Sequence, residues 1–351
     1  MLDDLQQISN VDKANMLDTV AEFPEQIRAA AELMKTIQIP DFIKIDNVII
    51  TGMGASGISG DLIQSVFRET LDVPIVVNKE SDLPKWANKH TLTVFLSYSG
   101  NTEETLNAFK IACQKKCKII GISSGGKLQE LCEKRSITHV LIPPGLQPRA
   151  AIAYLFIPLL FILESNKLIK NVINTDLEET LTVLDQSRTL NKKTVNEQQN
   201  LAKQIARKLV DTTPQIYGFG IYAPVAKRWR TQLNENSKII ARDDVIPECN
   251  HNDIVGWSAD PKAKQWSCIL FRDNEEESLY FAARLDFMKT LFEGTAAQTI
   301  EISPKGKSRL AKLMYTLNLG DFVSCYLAVL RNVDPSPVDA IKALKQRLAE
   351  I

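Results

Sequence analysis

Two short stretches, NVIITGMG at 47–54 and PQIYGFG at 214–220, follow one pattern. In each, an apolar run ends in Gly-x-Gly and gives way to a helical segment. Such a run reads as a strand buried in a parallel sheet, with the glycines forming a tight turn at its carboxyl end. The surrounding chain keeps the alternation. VPIVV (73–77), TLTVFLS (91–97), CKIIGIS (117–123) and HVLIP (139–143) follow the first stretch, with helices expected between them and over 149–163. KIIA (238–241), WSCILFR (266–272) and AAQTIEI (296–302) follow the second, with helices expected over 223–236, 275–291, 305–331 and 338–348. Strands alternating with helices define an α/β fold, here doubly wound and flavodoxin-like, with a mainly parallel sheet flanked by helices. Its recurrence implies an internal duplication. The expected division is a first domain over 1–165, led by one amphipathic helix over 11–36, and a second over 196–351. The charged segment 166–195 reads as a helical linker or as a further helix packed on the first domain.

The length of 351 residues suits two domains of roughly 150 residues each. Lys and Arg number 42, as do Asp and Glu, so the net charge is zero and a nucleic-acid partner is not expected. The most apolar run, 150–163, is too short to cross a bilayer, so no membrane partner is expected. The acidic start MLDDLQQISNVDK does not read as a secretory leader, and the cytoplasm is the expected compartment. The six cysteines and three histidines show none of the usual local zinc spacings.

The chemistry is expected at three polar turns that follow strands: TGMGASGISGD (51–61), SYSGNTEET (97–105) and SSGGK (123–127). Ligands of open parallel sheets bind at strand carboxyl ends, where free helix N-terminal amides favour anions. Hydroxyls of Ser97, Ser99 and Thr102 beside Gly100 suit a phosphate. A plainer account is that Asn101 and Glu104, at capping-box spacing, merely start a helix. GMGASG (52–57) matches a dinucleotide fingerprint literally, but the second strand closes on Asn78 and Lys79, where that fold wants an acid. The second half offers Glu235 in an NEN cluster and His251 in an NHND turn. Taken alone, each is an ordinary surface residue. Together they supply a carboxylate base and an imidazole, enough for proton transfer on a sugar.

These motifs resemble those of the bifunctional phosphoglucose/phosphomannose isomerases of the sugar isomerase (SIS) domain superfamily. The resemblance is carried by GMGASG, SYSGNTEET, SSGGKL, PPGLQPRAA (143–151), RWRTQLNENSK (228–238), PECNHNDIVGW (247–257) and DPSPVDAIKALKQRL (334–348), in family order over nearly the whole chain. It implies two SIS-type domains and a metal-independent aldose–ketose isomerase without cofactor. Gly54, Ala55, Ser56, Ser97, Ser99 and Thr102 would hold the phosphate of fructose 6-phosphate, glucose 6-phosphate or mannose 6-phosphate. Glu235 would carry the proton between C1 and C2 of the sugar. Arg149 would stabilise the cis-enediol(ate), and His251 and Lys345 would assist ring opening. Family members supply this histidine from the partner subunit, so a homodimer is implied. Ala55 stands where the family usually has a second glycine, and fits only if its φ is negative. The alternative is a sugar-phosphate-binding regulator in which Glu235 and His251 are structural.

Overall fold

A computed structural model describes residues 1–350. The leading segment is not the single helix expected over 11–36. It breaks into α1 (Leu5–Val11), α2 (Met16–Ala21) and α3 (Phe23–Lys35). The Asp12 carboxylate accepts from the amides of Met16 (2.7 Å) and Leu17 (2.8 Å), which starts α2 afresh. Asn15 is left-handed, with φ 55°, and Pro24 opens α3.

The chain forms two compact units, one of residues 22–184 and 306–314, the other of 1–21, 185–305 and 315 onward. The first contains β1 (Asn47–Thr51), α4 (Gly54–Phe67), β2 (Ile75–Asn78), β3 (Thr91–Leu96), α5 (Glu103–Gln114), β4 (Lys118–Ser123), α6 (Gly126–Glu133), β5 (His139–Leu141) and α7 (Ile152–Ser165). Helix α8 (Leu177–Asn191) runs across its boundary. Among the described residues its strands lie in the order β2-β1-β3-β4-β5, all parallel. Val48, Ile49 and Ile50 of β1, and every residue of β3, are buried, as their unbroken apolar runs require. Helix α7 is buried on all sides and packs against α3 and α4.

The second unit contains α9 (Leu201–Lys208), β6 (Thr213–Gly218), α10 (Ala223–Glu235), β7 (Arg242–Val245), α11 (Asp253–Ala259), β8 (Trp266–Phe271), α12 (Leu279–Thr295) and β9 (Gln298–Ile302), with α13 (Arg309–Leu330) and α14 (Asp339–Ala349) at its end. Its strands, again parallel, lie in the order β7-β6-β8-β9, which repeats the first four positions of the other sheet. The strand expected at KIIA is instead the next four residues, RDDV, with Gln215 opposite Arg242. This is an edge strand of three charged residues and an exposed valine, so it carries no apolar signature. Residues 1–21 belong to this unit. The fully buried Lys203 ammonium bonds to the Asp3 carboxylate (3.0 Å) and to the carbonyls of Lys193 and Val195, and Asn318 Nδ2 donates to the Val20 carbonyl.

One helix does reach membrane-spanning length and composition, against the expectation that no run would. It is α13, and 94% of its most apolar window is buried inside the protein. Its apolarity is that of a core helix enclosed on every side.

Candidate active site

In the first sheet β1 pairs with β2 on one side and β3 on the other, while the chain continues outward from β3 to β4. Strand order therefore reverses between β1 and β3, and a crevice opens outside their carboxyl ends at such a switch point. The turns after these two strands are TGMGASG and SYSGNT. In the first, Gly54 is left-handed, with φ 53°, and begins α4. Ala55 is not among the residues with positive φ and lies in the first turn of the helix, so its methyl group is tolerated. Ser56 is buried behind it.

In the second turn, Ser97 Oγ and Thr102 Oγ1 lie 2.9 Å apart, Ser97 buried and Ser99 exposed. Thr102 occupies the N-cap position of α5, but no side chain caps that helix. Asn101 does not cap it either. Its Oδ1 accepts from the Lys127 amide (3.1 Å) and its Nδ2 donates to the Ser99 carbonyl (3.0 Å). Helix α4 also begins without a side-chain cap, whereas α9 and α12 are capped by Asn200 and Ser278, and the Asn101 carboxamide caps the first turn of α6. Two helix N-termini, at the carboxyl ends of β1 and β3, thus keep amides uncapped by side chains, and this favours an anion. Lys79, at the position that weighed against a dinucleotide, is spent on both carboxylate oxygens of Asp61 (2.5 and 2.7 Å).

Arg149 lies in a short 3-10 turn, Pro148–Ala150, and is buried to 3% exposure. The segment leading to it is fastened by Tyr98, the residue between Ser97 and Ser99. The Tyr98 hydroxyl donates to the Pro143 carbonyl (3.1 Å) and accepts from the Leu146 amide (2.8 Å). Its own carbonyl accepts from both the amide (2.9 Å) and the hydroxyl (2.6 Å) of Ser124.

In the second unit Glu235 is the last residue of α10 and is half-buried. The helix is anchored along its length. Arg228 forms a buried ion pair with Asp321 (2.7 Å), Gln232 bonds the same carboxylate (2.7 Å), and Trp229 Nε1 donates to the Thr316 carbonyl (2.8 Å). Beyond Glu235, Asn236 bonds Ser324 Oγ and Ser237 bonds the Ser324 carbonyl, while Lys238 Nζ reaches the carbonyls of Glu235 and Pro335. The NENSK motif is therefore locked to α13.

His251 ends the 3-10 turn Glu248–His251 and is exposed. Behind it, Tyr217 donates to Asp253 (2.5 Å), and Trp257 Nε1 lies 2.6 Å from the Tyr217 hydroxyl and 2.9 Å from Asp253. Burial first, and then the Asp253 hydrogen bond, push the Tyr217 phenol far up, so it stays a neutral donor. Cys249, two residues before His251, is buried, which pushes its thiol up to about 12 and leaves it inert. Lys345 lies on α14, exposed, on a helix that also exposes Ile341, Leu344 and Leu348. The hydroxyl-rich turns and the Arg149 segment thus belong to the first unit, and Glu235, His251 and Lys345 to the second.

Sequence reasoning missed Tyr98, Tyr217 and Asp253, and read Asn101 as a cap of α5 where it bonds to Lys127 instead. Each acts through partners distant in sequence or through backbone atoms, and only the polar character of Asn101 and Asp253 hinted at a role.

The parallel sheet with its β1/β3 switch point, and the second sheet that repeats its strand order, are the fold of an SIS-type protein. Residues 41–144 match the model of the SIS domain, and residues 198–348 that of the bacterial phospho-glucose isomerase C-terminal SIS domain. The bifunctional phosphoglucose/phosphomannose isomerase of Caldicellulosiruptor bescii is 42% identical over 96% of this chain and 99% of its own. That of Thermoplasma volcanium is 33% identical over 87% and 92%. A solved structure, hypothetical protein TT0462 from Thermus thermophilus, shares the fold with a TM-score of 0.73 at 14% identity, covering 98% of this chain and 92% of that one. The chain belongs to the family of bifunctional phosphoglucose/phosphomannose isomerases and is an isomerase.

Proposed function

We propose that this protein interconverts glucose 6-phosphate and mannose 6-phosphate with fructose 6-phosphate, without a metal ion. The observation that carries the reading is the pair of side-chain-uncapped helix starts, α4 and α5, at the β1/β3 switch point, beside Ser97 and Thr102, in a chain of this family. These amides and the hydroxyls of Ser56, Ser97, Ser99 and Thr102 bind the phosphate group, with Gly54 and Ala55 shaping the turn.

The Glu235 carboxylate takes the proton from C2 of the open-chain aldose. The electrons of that bond form the C1=C2 enediol(ate) as the C1 carbonyl oxygen takes up a proton, and the carbon-bound proton returns to C1 as O2 gives up its hydroxyl proton and becomes the ketose carbonyl. Glucose and mannose 6-phosphates differ only at C2, so both reach the same enediol(ate) and one base serves both. Arg149 supplies the fixed positive charge that the enediol(ate) requires. His251 of the partner subunit and Lys345 help open the ring, so the working form is a homodimer. General acid–base help of this kind contributes on the order of 10²–10⁴-fold per group.

The test is to incubate the purified protein with fructose 6-phosphate and EDTA, then assay glucose 6-phosphate and mannose 6-phosphate separately. Both products are expected. Glucose 6-phosphate alone would narrow the specificity, and bound ligand with neither product would overturn the reading in favour of a sugar-phosphate-binding regulator.

A further inference from the structure

Tyr98 stands between two hydroxyl residues of the phosphate-binding turn, yet its own hydroxyl faces away from solvent. The residue is 7% exposed, and burial raises the phenol pKa. The hydroxyl has both of its roles taken, one as donor to the Pro143 carbonyl and one as acceptor from the Leu146 amide. Pro143-Pro144-Gly145-Leu146 has the composition of a type II turn, with proline second and a left-handed glycine (φ 96°) third. In a closed turn the first carbonyl accepts directly from the fourth amide. Here the Tyr98 hydroxyl sits between those two atoms and bonds to each. The turn is thereby completed by a side chain of another strand end, three residues before the buried Arg149.

The same residue holds a third turn. Its carbonyl takes both hydrogen bonds of Ser124, and the Gly125 carbonyl that follows lies against Gly100. In one residue the backbone ties SYSGNT to SSGGK while the hydroxyl ties it to the Arg149 segment.

We propose that Tyr98 is a positioning residue that fixes Arg149 relative to the phosphate-binding turn. This rests on the roles proposed above for that turn and for Arg149. The phenol does no proton transfer, because it is buried and both of its hydrogen bonds are spent on backbone atoms. What it supplies is distance: the group that neutralises the enediol(ate) is held at a set position from the phosphate anchor, which makes binding at one end productive at the other.

A mutant cycle tests this with Tyr98→Phe, Arg149→Lys and the double variant, reading kcat and KM for fructose 6-phosphate and Kd for inorganic phosphate. Tyr98→Phe keeps the ring and removes only the link. It is expected to lower kcat on the order of tenfold to a hundredfold, as misplacement of a charge-stabilising group does. Phosphate Kd is expected to hold within about twofold, since uniform binding is untouched. In the Arg149→Lys background the same change should cost nothing further in kcat. Equal losses in both backgrounds, or weakened phosphate binding with unchanged kcat, would overturn the proposal.

A second measurement uses the unaltered protein and so does not depend on the variant folding. Saturating inorganic phosphate is expected to slow hydrogen exchange of the Leu146 amide, and an unchanged rate would overturn the link. Failure of the unaltered protein to isomerise fructose 6-phosphate would remove the isomerase reading instead, with the exchange measurement still deciding the link.

Discussion

The side-chain oxygen of Asn101 accepts from the amide of Lys127, 26 residues further on, at 3.1 Å. From its place in the sequence the same side chain would cap α5. By turning to the neighbouring loop it leaves the first amides of α5 without a side-chain cap and fastens SYSGNT to the start of α6. Two strand ends that follow one another in the sheet are thereby joined, and the α5 terminus stays open to an anion while the first turn of α6 is capped.

The closeness of these loops makes a sharp prediction. Gly100 has φ 68°, and a Cβ there would lie 1.8 Å from the Gly125 carbonyl oxygen. Gly100→Ala therefore forces the turns apart. Titration calorimetry with inorganic phosphate should show Kd weakened by roughly tenfold or more, about 1.4 kcal/mol. Ala55→Gly, in the first turn of α4, should cost at most ~1 kcal/mol of stability. A Gly100→Ala protein binding phosphate normally would show that the turn is not the anion site.

A second prediction concerns the anchoring of α10. A Cβ on Gly320 would lie 2.3 Å from Nε1 of the buried Trp229. Alanine is the better helix former by ~1 kcal/mol, but overpacking a filled core costs ~1–3 kcal/mol or more. Gly320→Ala should lower the urea midpoint and, because α10 ends at Glu235, also lower turnover. A raised midpoint with full turnover would mean that the contact between α10 and α13 has slack.

Stability should depend on acid pH through Glu197. Its hydrogen bonds with Arg207, at 2.8 Å each, hold its pKa below the ordinary 4.5, against a smaller opposing effect of burial. The folded state therefore releases this proton more readily than the unfolded chain. The resulting stability is present above pH 4.5 and is lost as pH falls through the lower folded value. The pair is partly exposed, so Glu197→Gln should cost no more than ~1 kcal/mol at pH 7. Urea unfolding at pH 7 and at pH 3 checks this, with the difference between the two proteins expected to shrink towards acid. A difference of the same size at both pH values would assign the effect to packing.

The central strands were legible because β1, β3 and β4 are continuous apolar runs, and burial on both faces of a sheet demands such runs. The switch-point turns were legible because hydroxyls and glycines have few other reasons to cluster after a strand. The edge strand β7 was not, since Arg242–Val245 faces solvent and its pairing is made by backbone atoms. The break in the leading helix was hidden in Asp12, whose carboxylate could as well have faced water as capped α2. Tyr98 was the least visible. A tyrosine between two serines announces nothing when its partners are main-chain atoms 45 and 48 residues away.

In the proposed mechanism the Glu235 carboxylate moves the sugar proton. Fructose 6-phosphate incubated in D2O and followed by NMR tests it directly. The unaltered protein should exchange a C1 proton for deuterium as it isomerises. Glu235→Gln should bind the sugar phosphate with similar affinity and leave C1 unlabelled. Deuterium entering at the normal rate in the Glu235→Gln protein would contradict the assignment of the base.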